Sequence, residues 1–184
     1  YIKRAVKHKG AKLIVVDPRR IPLTRHATLW LRPRPGTDSA WINGMLRVIL
    51  TENLHDEKYV KERTVGLDDV RKVVEKYTPD YVEGITGIPA ADLVAAARLY
   101  ASVKAASVLY PMGITQHVCG TDNVKSLANL TMLCGNIGIE GGGINLNNRR
   151  VTSATSPVDA SSALHGRFLI LRKGARNYTL VRLV

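Results

Sequence analysis

The chain has 184 residues, of which 45% are apolar and 23% are charged, so its composition excludes a wholly disordered, collagen-like or membrane-embedded protein. The length suffices for one domain with a sizeable core. The aliphatic run at 13–16, like every other apolar run in the sequence, is far shorter than the roughly 20 apolar residues that cross a bilayer, so we expect no membrane span.

The net charge of +12 is concentrated at the two ends of the chain. Residues 1–35 hold ten basic residues and one acid (+9), residues 36–145 hold ten and thirteen (−3), and residues 146–184 hold seven and one (+6). A basic end can hold phosphates of any kind. Because the interleaved aromatic residues and zinc-finger patterns of nucleic-acid-binding proteins are missing, we expect no nucleic-acid partner.

Terminal residues, cysteines and histidines narrow the class further. The chain starts at Tyr1, without an initiator methionine or an apolar signal region, so we expect it to be a piece of a longer protein. Cys119 and Cys134 have no C-x-x-C spacing and the histidines form no H-x-x-x-H pair, so neither a disulfide scaffold nor a protein-ligated metal is indicated. No G-x-S-x-G nucleophile elbow is present, and we assign no catalytic residue.

In chain order, the pattern begins with the end of a helix at 3–9 and a short apolar run at 11–16. This run contains β-branched residues and stops at Asp17-Pro18, which predicts a strand buried on both faces of a parallel sheet. Residues 27–31 predict a second strand, which the turn at 33–36 closes.

Helical periods follow the two strands. From Ser39 apolar residues recur at helical spacing, and Asp38 or Ser39 can cap this helix. Shorter charged helices are predicted at 56–63 and 67–77, the second ending because residue 78 precedes a proline. The remaining predicted elements are an alanine-rich helix to about 104, a buried strand at 106–110, a helix at 120–133 and a glycine-rich loop at 135–143. This order predicts an α/β fold with a mainly parallel sheet flanked by helices.

Three loops, at 17–20, 35–38 and 111–116, follow the three predicted strands. Ligands of open α/β sheets lie beyond the carboxyl ends of the strands, so these loops are the candidate binding region. A carboxylate there can accept the hydroxyls of a ribose, and a neighbouring arginine can hold a phosphate.

Each loop also has a purely structural interpretation, and both interpretations stay open. Asp17 could accept ribose hydroxyls or could be a turn residue before a proline. Asp38 could accept from the N1–H and exocyclic amine of a guanine or could cap a helix, and Gln116 could be a solvated loop residue.

Taken together, four stretches in this order resemble the molybdopterin oxidoreductases, above all the catalytic subunits of molybdenum- or tungsten-dependent formate dehydrogenases. They read GAKLIVVDPR at 10–19, RPRPGTD at 32–38, LYPMGITQH at 109–117 and LCGNIG at 133–138. Shorter similarities at 62–64, 77–79 and 85–88 extend the resemblance over about residues 1–146.

The resemblance implies a segment that binds a bis(molybdopterin guanine dinucleotide) cofactor with molybdenum or tungsten. By position, residues 17–21 and 36–38 would contact the guanosine and phosphate end of one pterin dinucleotide, and two later residues would line the pterin side. The residues assigned in this way are Asp17, Pro18, Arg19, Arg20, Ile21, Gly36, Thr37, Asp38, Met112 and Gln116.

The resemblance also implies the reaction and partners of the parent protein. It would oxidise formate to CO2 and pass electrons through a 4Fe-4S cluster to iron–sulfur subunits, in the cytoplasm or alternatively the periplasm. The cluster cysteines, the metal-ligating residue and the substrate arginine of the family have no match in this sequence, so we expect the isolated chain to lack formate dehydrogenase activity. Pro111 stands where the family has glycine, which removes a backbone donor. A non-catalytic basic α/β module that binds nucleotides or nucleic acid is the alternative function.

Residues 147–184 are unlike the family. They begin rich in serine and threonine, lack a clear period and carry a single acid. We therefore predict two regions, a partial cofactor-binding α/β domain at 1–146 and a divergent basic tail at 147–184. Disorder and a foreign origin are the alternatives for the tail, and residues 168–171 could pair as an edge strand.

Overall fold

A computed structural model describes residues 1–145, 168–173 and 177–182. The helices are α1 Ile2–Lys9, α2 Asp38–Thr51, α3 Glu57–Arg63, α4 Leu67–Val74, α5 Pro79–Thr86, α6 Ala90–Ala101, α7 Met112–Thr115 and α8 Gly120–Leu133, with a 3-10 helix at Pro22–His26. The strands are β1 Ile14–Val16, β2 Leu29–Leu31, β3 Ser107–Leu109, β4 Gly143–Asn145, β5 Phe168–Lys173 and β6 Asn177–Arg182.

The first four strands form two parallel pairs flanked by helices, which confirms the predicted fold class. β1 pairs in parallel with β2, and β3 pairs in parallel with β4. Each pair is a separate two-stranded sheet, whereas the sequence alone suggests one mainly parallel sheet. Because parallel strands begin and end at the same edges of a sheet, the loops that follow β1 and β2 emerge side by side.

Helix α2 lies at the centre of the core. It contacts α4, α5, α6 and α8, and its inward residues Ile42 and Ile49 are fully buried. At Gly44 a Cβ atom would lie 2.8 Å from Val82 Cγ2 and 2.9 Å from Leu93 Cδ2, so the absence of a side chain lets α5 and α6 pack closely on α2. The N-terminal end of this central helix carries Asp38.

The predicted burial of the third strand is wrong. Ser107 is exposed and Leu109 is 47% exposed, whereas Val108 is half-buried and packs on the core. Successive side chains of a strand point to opposite faces, so only one face of β3 meets the core. The apolar Leu109 on the other face concealed this alternation from the sequence. In β1, Val15 is buried and its two neighbours are half-buried.

Helices α5 and α7 are absent from the sequence prediction, and α4 ends at Val74 rather than at residue 77. Pro79, which the sequence marks as the end of a helix, occupies the first turn of α5, where its missing N–H costs nothing. The hydroxyl of Thr78 caps that helix by accepting from the N–H of Tyr81 at 3.2 Å. Strand β4 lies at the end of the predicted glycine-rich loop.

Strand β5 contains the predicted edge strand at 168–171 and pairs antiparallel with β6. The rest of the predicted basic tail, at 147–167, 174–176 and 183–184, lies outside the described residues, so the boundary at 146 stays a prediction. Among the described residues, no helix is both long enough and apolar enough to cross a membrane.

Candidate functional site

Asp17 continues β1 at the carboxyl edge of the first sheet. Its backbone N–H donates to the carbonyl of Leu31 at 3.1 Å, which holds it beside the end of β2. Its Oδ1 accepts from the N–H of Arg19 at 2.8 Å, so Asp17 does close a turn. The indole N–H of Trp30 donates to the Asp17 carbonyl at 2.9 Å, which ties the turn to β2. The contact of Asp17 with a ribose stays a prediction.

The side chains around this turn face outward. Arg19 is 82% exposed with its Nε 3.5 Å from Asp17 Oδ1, and Arg20 and Pro18 are also exposed. Ile21 is half-buried and its N–H donates to the Arg19 carbonyl at 2.9 Å. The Arg19 guanidinium is thus available to an anion beside the Asp17 carboxylate, and the exposed Arg20 follows it in the chain.

The second loop is fastened to the carboxyl end of α5 by Arg34. The Arg34 backbone N–H donates to Thr86 at 2.7 Å, and its Nη1 donates to the carbonyls of Gly84 at 2.8 Å and Ile85 at 3.2 Å. A cation at this end of a helix also interacts favourably with the helix dipole. The hydroxyl of Thr37 donates back to the Arg34 carbonyl at 2.6 Å, which tightens the turn. Sequence reasoning missed this role because α5 itself was missed.

Gly36 stands in this turn with a φ of +80°, a conformation that residues with side chains rarely adopt. Helix α2 begins directly afterwards, with Thr37 as its N-cap and no side-chain cap. The prediction that Asp38 or Ser39 caps this helix is therefore wrong. Asp38 is instead the first residue of the helix, and its carboxylate does not bond the backbone there.

The carboxylate of Asp38 lies between an indole and an imidazole. Its Oδ1 accepts from Trp41 Nε1 at 3.3 Å, and its Oδ2 lies 3.7 Å from His117 Nε2. The Asp38 side chain is 14% exposed, so the carboxylate is reachable but largely desolvated. An acceptor of this kind favours a ligand with directed N–H donors.

The third loop contains helix α7 and the two residues assigned to the pterin side. Met112 is 63% exposed, and the amide nitrogen of Gln116 lies 3.2 Å from its sulfur. The two predicted residues are therefore adjacent on one exposed turn. His117 Nε2 lies 2.8 Å from the carbonyl of Gly113, which anchors the imidazole to the same turn.

The three predicted loops converge on one region. The first two meet because β1 and β2 end at the same edge, and the Asp38–His117 contact joins the second to the third. Sequence reasoning did not assign His117 or Trp41 to the site. The only available signal for His117 was its position directly after Gln116 in a stretch that already resembled the family.

Buried polar groups support the start of β3. Asn136 is fully buried, its Oδ1 accepts from the N–H of Ala106 at 2.8 Å, and its amide lies 3.4 Å from the hydroxyl of Tyr100. Burial raises the pKa of Tyr100 above its usual value. Burial, with a contribution from the Asp56 charge, raises the pKa of the Cys134 thiol to about 12. Both groups stay neutral at physiological pH.

Comparisons with known proteins identify the family to which the chain belongs. The family model described as molybdopterin oxidoreductase matches residues 1–179. The chain is 46% identical over 139 residues to F420-dependent formate dehydrogenase 1 subunit alpha of Methanococcus maripaludis, a match that covers 76% of this chain and 21% of that protein. It is 45% identical over 139 residues to formate dehydrogenase H of Escherichia coli, covering 76% of this chain and 19% of that protein.

A solved structure is also similar. The model matches acetylene hydratase from Pelobacter acetylenicus with a TM-score of 0.71 and 34% identity, over 73% of this chain and 18% of that one. The chain therefore spans about a fifth of the length of the relatives it matches. By its sequence and its fold, the chain belongs to the molybdopterin oxidoreductase family.

Proposed function

We propose that this chain holds the guanosine and phosphate end of a molybdopterin guanine dinucleotide within the catalytic subunit of a formate dehydrogenase. The observation that carries the proposal is the placement of the Asp38 carboxylate, which the Asp38–His117 contact of 3.7 Å joins to the loop of Met112 and Gln116. The family implies a pterin cofactor of molybdenum or tungsten, and the guanine dinucleotide form, which the resemblance implies, suits the acceptor chemistry of Asp38.

The residues of the site suit a guanine nucleotide. A carboxylate offers about four lone-pair positions, so Asp38 Oδ1 and Oδ2 can each accept a guanine donor beside their protein neighbours. At Asp17, Oδ1 closes the turn, and the second oxygen is available to a ribose hydroxyl. The exposed guanidinium groups of Arg19 and Arg20 supply the charge that the phosphates need.

Formate is proposed as the substrate because the curated relatives are named formate dehydrogenases. Acetylene hydratase has the same fold and a name that denotes another reaction, so the fold does not by itself specify the chemistry. When bound, the molybdenum or tungsten centre supplies the two-electron oxidation of formate to CO2. The residues of this chain bind and orient the dinucleotide, while a 4Fe-4S cluster and iron–sulfur subunits of the parent protein receive the electrons, in the cytoplasm.

The binding test uses the 184-residue chain, GDP as the probe and ADP as the comparison ligand in isothermal titration calorimetry. We expect GDP to bind more tightly than ADP, because adenine has no N1–H that could donate a hydrogen bond to Asp38. Asp38→Ala removes the acceptor of two donors and should weaken GDP binding by about 10- to 100-fold.

Asp122→Ala is the matched control, since Asp122 also lies in the first turn of a helix, its side chain is 73% exposed, and it pairs with Lys125 at 3.6 Å. The control should bind GDP like the wild type. Unchanged GDP affinity in Asp38→Ala would show that Asp38 does not contact the guanine. In the parent subunit, the same Asp38→Ala substitution should lower the pterin dinucleotide content after chromatography, whereas the chain alone should show no formate-dependent dye reduction.

A further inference from the structure

The indole N–H of Trp41 donates its hydrogen bond to Asp38. Trp41 is 5% exposed, and a buried indole N–H needs an acceptor. Its acceptor is Asp38 Oδ1 at 3.3 Å, one helical turn earlier on α2. Because Trp41 is packed in the core, this hydrogen bond ties the Asp38 carboxylate to a rigid group.

The imidazole of His117 acts on the other oxygen. His117 Nε2 lies 2.8 Å from the Gly113 carbonyl, which can only accept, so Nε2 carries a proton. The same N–H lies 3.7 Å from Asp38 Oδ2. This distance is too long for a hydrogen bond, but the positive end of the N–H dipole still attracts the carboxylate electrostatically.

We infer that Trp41 and His117 are positioning residues that fix the plane of the Asp38 carboxylate and thereby set selectivity for guanine over hypoxanthine. The inference rests on the proposed function of Asp38 as the guanine contact. Guanine presents two parallel donors, N1–H and the exocyclic amine, so both oxygens must face the base together. Fixing the carboxylate before binding removes the loss of rotational freedom that binding would otherwise require.

Selectivity is the quantity that this arrangement controls. Hypoxanthine keeps the N1–H but lacks the exocyclic amine, so it uses one of the two oxygens. With a fixed carboxylate, the wild type should bind GDP about 10- to 100-fold more tightly than IDP, the range expected for one hydrogen bond to a charged acceptor. With a rotating carboxylate, the second hydrogen bond contributes less and the ratio falls.

The experiment measures the GDP and IDP affinities of the 184-residue chain and its variants by calorimetry. Trp41→Phe keeps the apolar ring and removes the N–H, and His117→Ala removes the imidazole. Both substitutions should lower the ratio of GDP affinity to IDP affinity by about threefold or more, the size expected when one of two hydrogen bonds is weakened. His117→Gln, whose amide can reach the position of Nε2, should restore most of the ratio.

Thr131→Val is the control for stability alone. Its hydroxyl is buried in α8 and donates to the carbonyl of Ala128 at 2.8 Å, so it is bonded within its own helix. It should lower the melting temperature while keeping the wild-type ratio. If Trp41→Phe fails to fold, the half-exposed His117 variants still decide the question, since His117 lies at the surface and outside the core.

The two indole N–H groups of the chain give a direct signal. Trp30 donates to Asp17 and Trp41 donates to Asp38, so each indole resonance in a 15N spectrum reports one end of the site. GDP should shift the Trp41 resonance, assigned by its loss in Trp41→Phe, more than IDP does. Equal ratios in all variants would overturn the positioning role and leave the proposed function standing. Equal GDP and IDP binding by the wild type would overturn both.

Discussion

Arg34 is the residue through which the core orients the binding loop, and Arg34→Ala tests this directly. Its guanidinium donates to Gly84 and Ile85 at 2.8 and 3.2 Å, at the end of α5. The substitution removes both bonds and the interaction with the helix dipole, while the backbone bond from Arg34 to Thr86 remains. The loop should therefore stay folded but lose its fixed position.

The expected magnitude follows from these contacts. Hydrogen bonds from a charged donor contribute about 1.5–3 kcal/mol when well shielded, and the helix-dipole interaction adds about 0.3–1 kcal/mol. Because Arg34 is exposed, we place the loss in the free energy of unfolding at about 1–2 kcal/mol. If half of this lost free energy reappears as the cost of ordering the loop when GDP binds, GDP affinity should fall about two- to fivefold.

Urea unfolding and GDP calorimetry on the same samples measure the two effects. Arg98→Ala is the matched control, since Arg98 is also exposed. Its guanidinium, in the last turn of α6, donates to Glu52 at the C-cap of α2 at 2.8 and 2.9 Å. It should leave GDP affinity unchanged. Arg34→Lys should recover part of the loss, because it keeps a cation near the α5 carbonyls. Full GDP affinity in Arg34→Ala, with the expected loss of stability, would refute the link between the clamp and the site.

Two further predictions concern packing and pH. Gly44→Ala should lower the free energy of unfolding by about 1–2 kcal/mol, because crowding against Val82 and Leu93 exceeds the gain in helix propensity. Gly84 has open space around it, so Gly84→Ala should raise the free energy of unfolding by up to about 1 kcal/mol. Urea unfolding measures both. Burial raises the pKa of Cys134 from 9.0 to about 12, so its contribution to stability is complete below pH 9 and is lost as pH rises from 9 towards 12, by up to about 1.4 kcal/mol per pH unit. Cys134→Ala should flatten this fall between pH 8 and 10, and an equal fall in both proteins would contradict the assignment.

The first strand and the central helix could be predicted because their signals are local. The run before Asp17 is apolar and ends at a proline, and α2 repeats its apolar residues at helical spacing. The burial of β3 could not be predicted in this way, since it depends on which face the rest of the protein covers. The start of α5 was missed because a proline is compatible both with the end of one helix and with the first turn of the next, and Pro79 occupies the first turn of α5.

The site shows the same division. Asp38 could be proposed from its motif, because Gly36 and the following helix are encoded next to it. Its neighbour His117 could not, because the contact between Asp38 and His117 joins residues far apart in the chain and depends on how α7 packs against α8. The structural alternative for Asp38, a helix cap, failed for a local reason, since Thr37 already occupies the N-cap position.

The basic charge of residues 1–35 has several separate roles. Arg34 bonds the carbonyls of α5, Arg32 stacks over the Trp30 ring at 4.9 Å, and Arg19 lies beside Asp17. Arg34 and Arg32 are engaged by neighbours and are less available to a long phosphate backbone, whereas the Arg19 side chain is 82% exposed and stays available to an anion. Arg19 and Asp17 lie in the turn that follows β1, at the carboxyl edge of the β1–β2 pair, which is the edge at which open α/β sheets bind small ligands.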